Sequence, residues 1–249
     1  MIKVSEVMSP IVVSVSPESE IRELLSVLSK DRSGRVLVMR DGKPEAIVTT
    51  RSVVHAYVKY GKGVTELKTK DLMSESLVSV AADASLDEVL RIMIAHDIGG
   101  VPVMDEGVVV GMFTERDLVK LMSRRTYSGL VDSIMTRNLV TIEEDADIFS
   151  AARVMTEHKV RRLPILKNDK LVGIVTAADI VKSLSKSTES IPVIRSGTMN
   201  PLTVRSLDTI MYAVKIMEER RIGTLPVVDD KLRGIITERD LLFAALNSF

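Results

Sequence analysis

From Ser85 to His96 the apolar positions Leu86, Val89, Leu90 and Met93 fall on one helical stripe, with Ser85 at the N-cap and Glu88 three residues later. This spacing predicts an amphipathic helix. Gly99-Gly100 break it, and Val101-Pro102-Val103-Met104 then reads as a short apolar strand. Asp105-Glu106-Gly107 is a turn into Val108 to Phe113, a second strand that closes a hairpin. Leu118, Val119, Leu121 and Met122 mark a helix beginning just after Thr114, and an extended segment, Leu77 to Val80, precedes the first helix. The order is extended, helix, strand, strand, helix.

The same order recurs. Asp145 to Glu157 and Asp208 to Arg220 predict first helices, and Leu163 to Leu166 and Leu225 to Val228 first strands. Asn168-Asp169 and Asp229-Asp230 predict turns, Leu171 to Val175 and Leu232 to Ile236 second strands, and Ile180 to Leu184 and Leu241 to Leu246 second helices. A phrase Gly-x-x-Thr-x-x-Asp closes each unit at Gly111 to Asp117, Gly173 to Asp179 and Gly234 to Asp240, the Asp residues being 62 and then 61 apart. Pro102, Pro164 and Pro226 keep the beat, and Met8, Met73, Met135 and Met199 open the units. Extended backwards, the register gives a degenerate first copy, with Ser52 for the Asp and Leu37 for the Pro. A period near 62 exceeds the roughly 20 to 50 residues of solenoid repeats, so each copy is read as a small domain. The domains are 1–60, 66–123, 129–185 and 193–249, with linkers at Gly61 to Gly63, Ser123 to Gly129 and Ser183 to Ser190. A lone unit of this size buries too little surface to be more than marginal, which predicts pairing, most simply as modules 1–123 and 129–249.

Composition narrows the partners. Lys plus Arg equals Asp plus Glu at 34 each, so the average field that draws a protein onto nucleic acid or an anionic membrane is absent. With no cysteine, disulfides and thiolate metal sites are excluded, in keeping with a reducing cytosol. The N-terminus carries charge early and no apolar run approaches the roughly 20 residues that span a bilayer, so a cytoplasmic protein is expected. Aromatic residues are 3% with no Trp, which leaves the core to aliphatic side chains and weakens base-stacking readings.

Met-Ser or Met-Thr at the unit start, an apolar-Pro-apolar strand and Gly-x-x-Thr-x-x-Asp at the last strand-to-helix turn together resemble the CBS domain. The resemblance covers nearly the whole chain. It implies an α/β (α+β) fold of four CBS domains in two Bateman modules, with a layout similar to the disc of the gamma subunit of AMP-activated protein kinase. It also implies adenine nucleotides, AMP, ADP or ATP, held in clefts between paired domains, without choosing among them or S-adenosylmethionine. The family's Asp accepts hydrogen bonds from both ribose hydroxyls, which places Asp117, Asp179 and Asp240 there, with Thr114, Thr176 and Thr237 beside ribose and phosphate. Helix N-termini at these turns favour a phosphate nearby.

The residues alone leave a second role open, since Thr followed three residues later by an acid is also a helix-capping pattern. Arg161 and Arg162 match a family position that reaches phosphates, and Arg35 aligns with Arg162; units two and four have Gly99-Gly100 and Gly223-Thr224 instead. A solvated basic helix end is the plainer reading of Arg161 and Arg162. Arg116 and Arg239, inside their motifs, could turn towards phosphate or towards solvent. His96 and His158 sit at equivalent positions suited to helix C-termini rather than a metal, and no metal is expected.

The leading expectation is a non-enzymatic, energy-sensing regulator that binds adenine nucleotides and acts on a regulated protein partner, as a monomeric disc or a homodimer. The alternatives are a structural or interaction module with vestigial clefts, and a nucleic-acid-binding CBS protein, against which zero net charge counts. No catalytic arrangement of Ser, His and Asp, P-loop or metal cluster stands out, so an enzyme is not expected.

Overall fold

A computed structural model of the protein describes residues 2–31 and 33–246; residues 1 and 247–249, at the outer ends of the first and fourth expected domains, and residue 32 lie outside them. The first repeat runs β1 (Ser14–Val15), α1 (Ile21–Lys30), β2 (Arg35–Arg40), β3 (Lys43–Thr49) and α2 (Thr50–Tyr60). The second runs β4 (Val80–Ala81), α3 (Leu86–Ala95), β5 (Gly100–Asp105), β6 (Val108–Thr114) and α4 (Glu115–Met122). The third has β7 (Ile142–Glu143), α5 (Ile148–Glu157), β8 (Arg162–Lys167), β9 (Lys170–Thr176) and α6 (Ala177–Leu184). The fourth adds a short α7 (Val193–Ser196) and β10 (Thr198–Met199) before α8 (Ile210–Arg220), β11 (Thr224–Val228), β12 (Leu232–Thr237) and α9 (Glu238–Ala245). The expected order of elements is present in every copy.

Each helix buries the stripe that its spacing announces. Leu86, Val89, Leu90 and Met93 of α3 are fully buried, and the Ser85 hydroxyl accepts from the Glu88 N–H at 3.2 Å. The helix crossover makes the first strand pair parallel with the leading hairpin strand, β1 on β2, β4 on β5 and β7 on β8. In the fourth repeat a single parallel bridge, Val204 to Val227, holds that place. The hairpins are antiparallel, and three of their turns use the paired positive φ values of a two-residue loop: Asp41 and Gly42 at 49° and 76°, Glu106 and Gly107 at 47° and 81°, Asn168 and Asp169 at 48° and 61°. Two expected linkers are partly structured, since Gly61–Glu66 forms a 3-10 helix and Ser183 belongs to α6.

Contacts divide the chain into two compact units. One joins Met1–Val12, Val78–Leu139 and Leu202–Phe249, hence the second and fourth repeats; the other joins Val13–Leu77 and Val140–Pro201, hence the first and third. The compact units therefore do not follow chain order. In the first unit α4 packs on α8 and α9, over a core that includes Phe113, Leu118, Val214 and Leu241. In the second, α2 packs on α5 and α6 and α1 on α6, and Tyr57 meets Phe149 edge to face at 5.2 Å. Either way, the apolar helix faces that a single repeat leaves uncovered are buried by another repeat.

Consecutive repeats are linked differently: they exchange their opening segments. Ser9 pairs with Met112 through two bonds of 2.9 Å, and the Met8-Ser9 backbone runs over Gly111, where a Cβ would lie 2.7 Å from the Ser9 carbonyl oxygen. Thr136 pairs likewise with Ile235 over Gly234, and β10 with β9 over Gly173. The phrase begins with glycine because another stretch of main chain crosses there. In the first repeat the position is Ala46, and Ser74 replaces one of the two main-chain bonds to Ile47 with its hydroxyl, at 3.1 Å.

Candidate functional site

Each hairpin ends on a threonine with extended backbone, and the next residue opens a helix. Thr114 lies at φ −134°, ψ 163°, with Thr176 and Thr237 close to it. In every case the carboxylate three residues on folds back to close a reciprocal cap. Asp117 Oδ2 accepts from the Thr114 N–H at 2.8 Å and from its hydroxyl at 2.7 Å; Asp179 repeats this with Thr176 at 2.8 and 2.7 Å, and Asp240 with Thr237 at 2.7 and 2.7 Å. The helix-cap role is thus realised at all three turns, and it occupies one carboxylate oxygen of each.

The remaining oxygens differ. Asp240 Oδ1 accepts from the Thr136 hydroxyl at 2.9 Å, whereas Asp179 Oδ1 has no hydrogen-bond donor among the described residues. Burial pushes the Asp179 carboxyl above its ordinary value, outweighing the two Thr176 hydrogen bonds and nearby Lys182. A partly buried carboxylate with one oxygen uncommitted is suited to accept a hydroxyl. In the first repeat the cap survives without the charge: the Thr49 N–H reaches Ser52 Oγ at 3.4 Å and the Ser52 N–H reaches Thr49 Oγ1 at 3.2 Å.

The arginines separate into two environments. In the unit of repeats two and four, Arg239 donates to Glu115 at 3.2 Å, to the Ile98 carbonyl at 2.8 Å and to Asp97, and only 18% of its side chain is exposed. Arg116 meets Glu238 at 3.4 Å. The two Glu-Arg dipeptides are crossed, each arginine facing the other repeat's glutamate, so Arg116 and Arg239 turn to acidic partners rather than outward. Gly223 makes room for this, since a Cβ there would sit 2.9 Å from the Glu238 carboxylate.

The unit of repeats one and three is opened instead. Thr50 and Ala177 stand where Glu115 and Glu238 do, and Ala178 stands in place of an arginine. A cavity of 570 Å³ lies there, bounded by α2, by Asp71 to Met73, by the end of α5 and by Ala177. Arg161 lines it; Arg35, buried at 8% exposure, and Arg162 begin β2 and β8 in the same unit. Arg51, His55, Lys59 and Lys159 also line it and were not singled out from sequence. Their signal was available, because Arg51, His55 and Lys59 recur every fourth residue on one face of α2. His96 and His158 are exposed C-cap residues, and no cluster of three metal-binding side chains occurs among the described residues.

Among known proteins, the CBS domain model matches residues 4–59, 70–124, 131–186 and 192–247. Uncharacterized protein MJ1225 of Methanocaldococcus jannaschii is 27% identical over 264 residues, 93% of this chain and 94% of that protein. Its crystal structure, described as that of a candidate archaeal homologue of g-AMPK, matches with a TM-score of 0.87 at 24% identity, over 98% of this chain and 99% of that one. An uncharacterized conserved protein from Pyrococcus horikoshii matches with a TM-score of 0.68 at 20% identity, over 98% and 99%. At these identities the two structures speak for the fold. No helix of the described residues is long and apolar enough to cross a membrane.

Proposed function

This chain belongs to the CBS domain family, and on that premise we propose that it is a non-enzymatic regulator that binds an adenine nucleotide at its Thr-x-x-Asp turns. The observation that carries the reading is the carboxylate of Asp179, held by Thr176 through one oxygen while the other has no described donor. A ribose offers two hydroxyl donors, and an ionised carboxylate at a helix N-terminus is matched to them. The adjoining helix N-terminus favours the nucleotide's phosphate. Asp117 and Asp240 take the same role at their turns, with Asp240 sharing its second oxygen with Thr136. Ser52 makes the first repeat's turn a poor ribose acceptor.

Hydrogen bonds to a charged group are worth about 1.5 to 3 kcal/mol each. Calorimetric titration with AMP is expected to lose one site in each of Asp117→Ala, Asp179→Ala and Asp240→Ala and none in Ser52→Ala. Unchanged stoichiometry across the three aspartate variants refutes the assignment. A second reading, a structural module with vestigial turns, is favoured by the completeness of the three caps. A thermal-shift screen separates the two, because a ligand at 100 times its dissociation constant adds about 2.7 kcal/mol of stability, and silence with AMP, ADP, ATP and S-adenosylmethionine selects the structural module.

A further inference from the structure

The turn that leads into each repeat's first helix, with the opening segment docked beside it, forms an edge that is polar in the first two repeats, acidic at its tip in the third, and apolar in the fourth. The N-cap residues of these helices are Glu20, Ser85, Asp147 and Thr209. Two residues before them stand Glu18, Asp83 and Asp145 in the first three repeats and Leu207 in the fourth; three residues after them stand Glu23, Glu88 and Ser150, then Tyr212. The docked segment bridges the N-cap through Lys68, Lys3 and Pro192 in the first three repeats and through Leu130 in the fourth. In the first repeat Lys68 meets Glu18 at 2.8 Å, so these two places lie within side-chain reach of each other. In the fourth, two leucines hold them.

Leu130, Leu207 and Tyr212 are 41, 75 and 52% exposed, although Val131 and Ile210 beside them are buried. Thr209 joins the three: Leu130 bridges to it, and its hydroxyl accepts the Tyr212 N–H at 3.1 Å. Helical side chains lean towards the helix N-terminus, which brings Tyr212 back over this joint. Together the three expose on the order of 300 Å² of apolar surface, the size at which a patch on a monomer begins to mark an interaction site. Folding does not call for it, because the other repeats form the same turn with acidic residues in place of Leu207.

We infer that this edge of the fourth repeat is where two copies of the chain meet. The charges beside the patch come in matched pairs, Arg137 with Asp132 at 2.8 Å and Arg233 with Asp229 at 3.9 Å, and Asp229 also holds the Ser206 N–H next to Leu207 at 3.0 Å. A rim that carries both signs offers no complement to a partner of one strong charge. It does not repel its own copy, and a two-fold contact, which lays the same patch of each copy on the other, can set acid against base across it. The patch falls short of the about 800 Å² per partner of a standard interface, so the contact is small and reversible. The inference is independent of any nucleotide at the Thr-x-x-Asp turns.

The test uses the full chain. Sedimentation velocity is expected to show a monomer that passes to a dimer between about 10 μM and about 1 mM, the behaviour of an interface at the small end of the range. The triple variant Leu130→Lys, Leu207→Asp, Tyr212→Glu, which installs the residues of the second repeat, is expected to weaken dimerisation at least about tenfold with its urea midpoint little changed; Leu207→Asp alone, at an exposed turn, guards against a folding defect and is expected to act in the same direction. On dilution of the unaltered chain, amide resonances of residues 130–133 and 205–212 are expected to move, while those of residues 18–23 and 68, the matching edge of the first repeat, stay fixed. A chain that remains monomeric at about 1 mM overturns the inference in favour of a different protein as the occupant. Dimerisation that the substitutions leave intact, or dilution shifts that fall elsewhere, overturns it as well.

Discussion

Replacing Asp179 by serine, and separately by alanine, pulls apart the two things its carboxylate is able to do. The first repeat has already made the serine exchange: Ser52 receives the Thr49 N–H at 3.4 Å and returns its own N–H to Thr49 Oγ1 at 3.2 Å. The Thr49 N–H and hydroxyl contacts to Ser52 Oγ, at 3.4 and 3.2 Å, are longer than the 2.8 and 2.7 Å contacts from Thr176 to Asp179, while the returning N–H bond is alike at 3.2 and 3.3 Å, so some cap strength is lost, yet each group keeps a partner. Asp179→Ser should therefore cost under about 1 kcal/mol, whereas Asp179→Ala leaves the Thr176 N–H without its acceptor and should cost about 1 to 2 kcal/mol, as cap deletions do. Relief of a buried charge works in favour of both variants, because burial raises the Asp179 pKa; the charged form is held at a cost to the fold that appears as pH rises through that value. Ligand binding follows a different order. Two ribose bonds at about 1.5 kcal/mol each, the low end for charged acceptors, amount to about 3 kcal/mol, or more than a hundredfold in affinity for that turn. Serine and alanine should lose this equally. Urea denaturation ranks the two variants for stability, and AMP calorimetry ranks them for binding. An Asp179→Ser protein that binds AMP at full stoichiometry and affinity would show that the carboxylate is a helix cap and nothing more.

The crossed pairs should be unequal: Glu115, 4% exposed at its side chain, is buried with Arg239, so Glu115→Ala should cost roughly 3 kcal/mol. A double-mutant cycle for Glu115 and Arg239 should give a larger coupling than one for Arg116 and Glu238, which at 3.4 Å and greater exposure should stay within about 1 kcal/mol; equal couplings refute the ranking. Gly111→Ala drives a Cβ to 2.7 Å from the Ser9 carbonyl oxygen and should cost about 2 to 3 kcal/mol in urea denaturation, far more than Ala46→Gly at the equivalent place in the first repeat. Hydrogen bonds from Lys68 and Lys70 lower the exposed Glu18 carboxyl from 4.5 to about 2. Its contribution is present above pH 4.5 and is lost as pH falls towards 2, so the difference in unfolding midpoint between the unaltered chain and Glu18→Gln should shrink across that window. A difference that persists undiminished at pH 2 rules this out.

Periodicity made the elements legible because a helix or strand must bury one face whatever surrounds it. The stripe of Leu86, Val89, Leu90 and Met93 and the hairpin around Glu106-Gly107 are local facts, and the structure keeps them. Which repeat meets which was not local. All four copies carry similar apolar helix faces, so nothing in α2 announces that it packs on α5 and α6. The candidate site divides in the same way. The Thr-x-x-Asp caps involve residues three apart and could be read directly, while the commitment of Arg239 to Glu115 and Asp97 spans a distance in sequence that spacing does not measure. The glycine of the repeated phrase was visible as a mark of the repeat, but its cause, the crossing of Met8-Ser9, lies in another part of the chain.

Because each opening stretch is laid down on a neighbour's hairpin, the boundaries seen in the repeats are not lines along which the molecule can be cut. A fragment trimmed to one copy would carry a tail with nowhere to dock and would present a bare groove above its own glycine. Truncation studies that respect the sequence period would then measure damage rather than autonomy, and dissection has to begin from fragments that keep donor and recipient together.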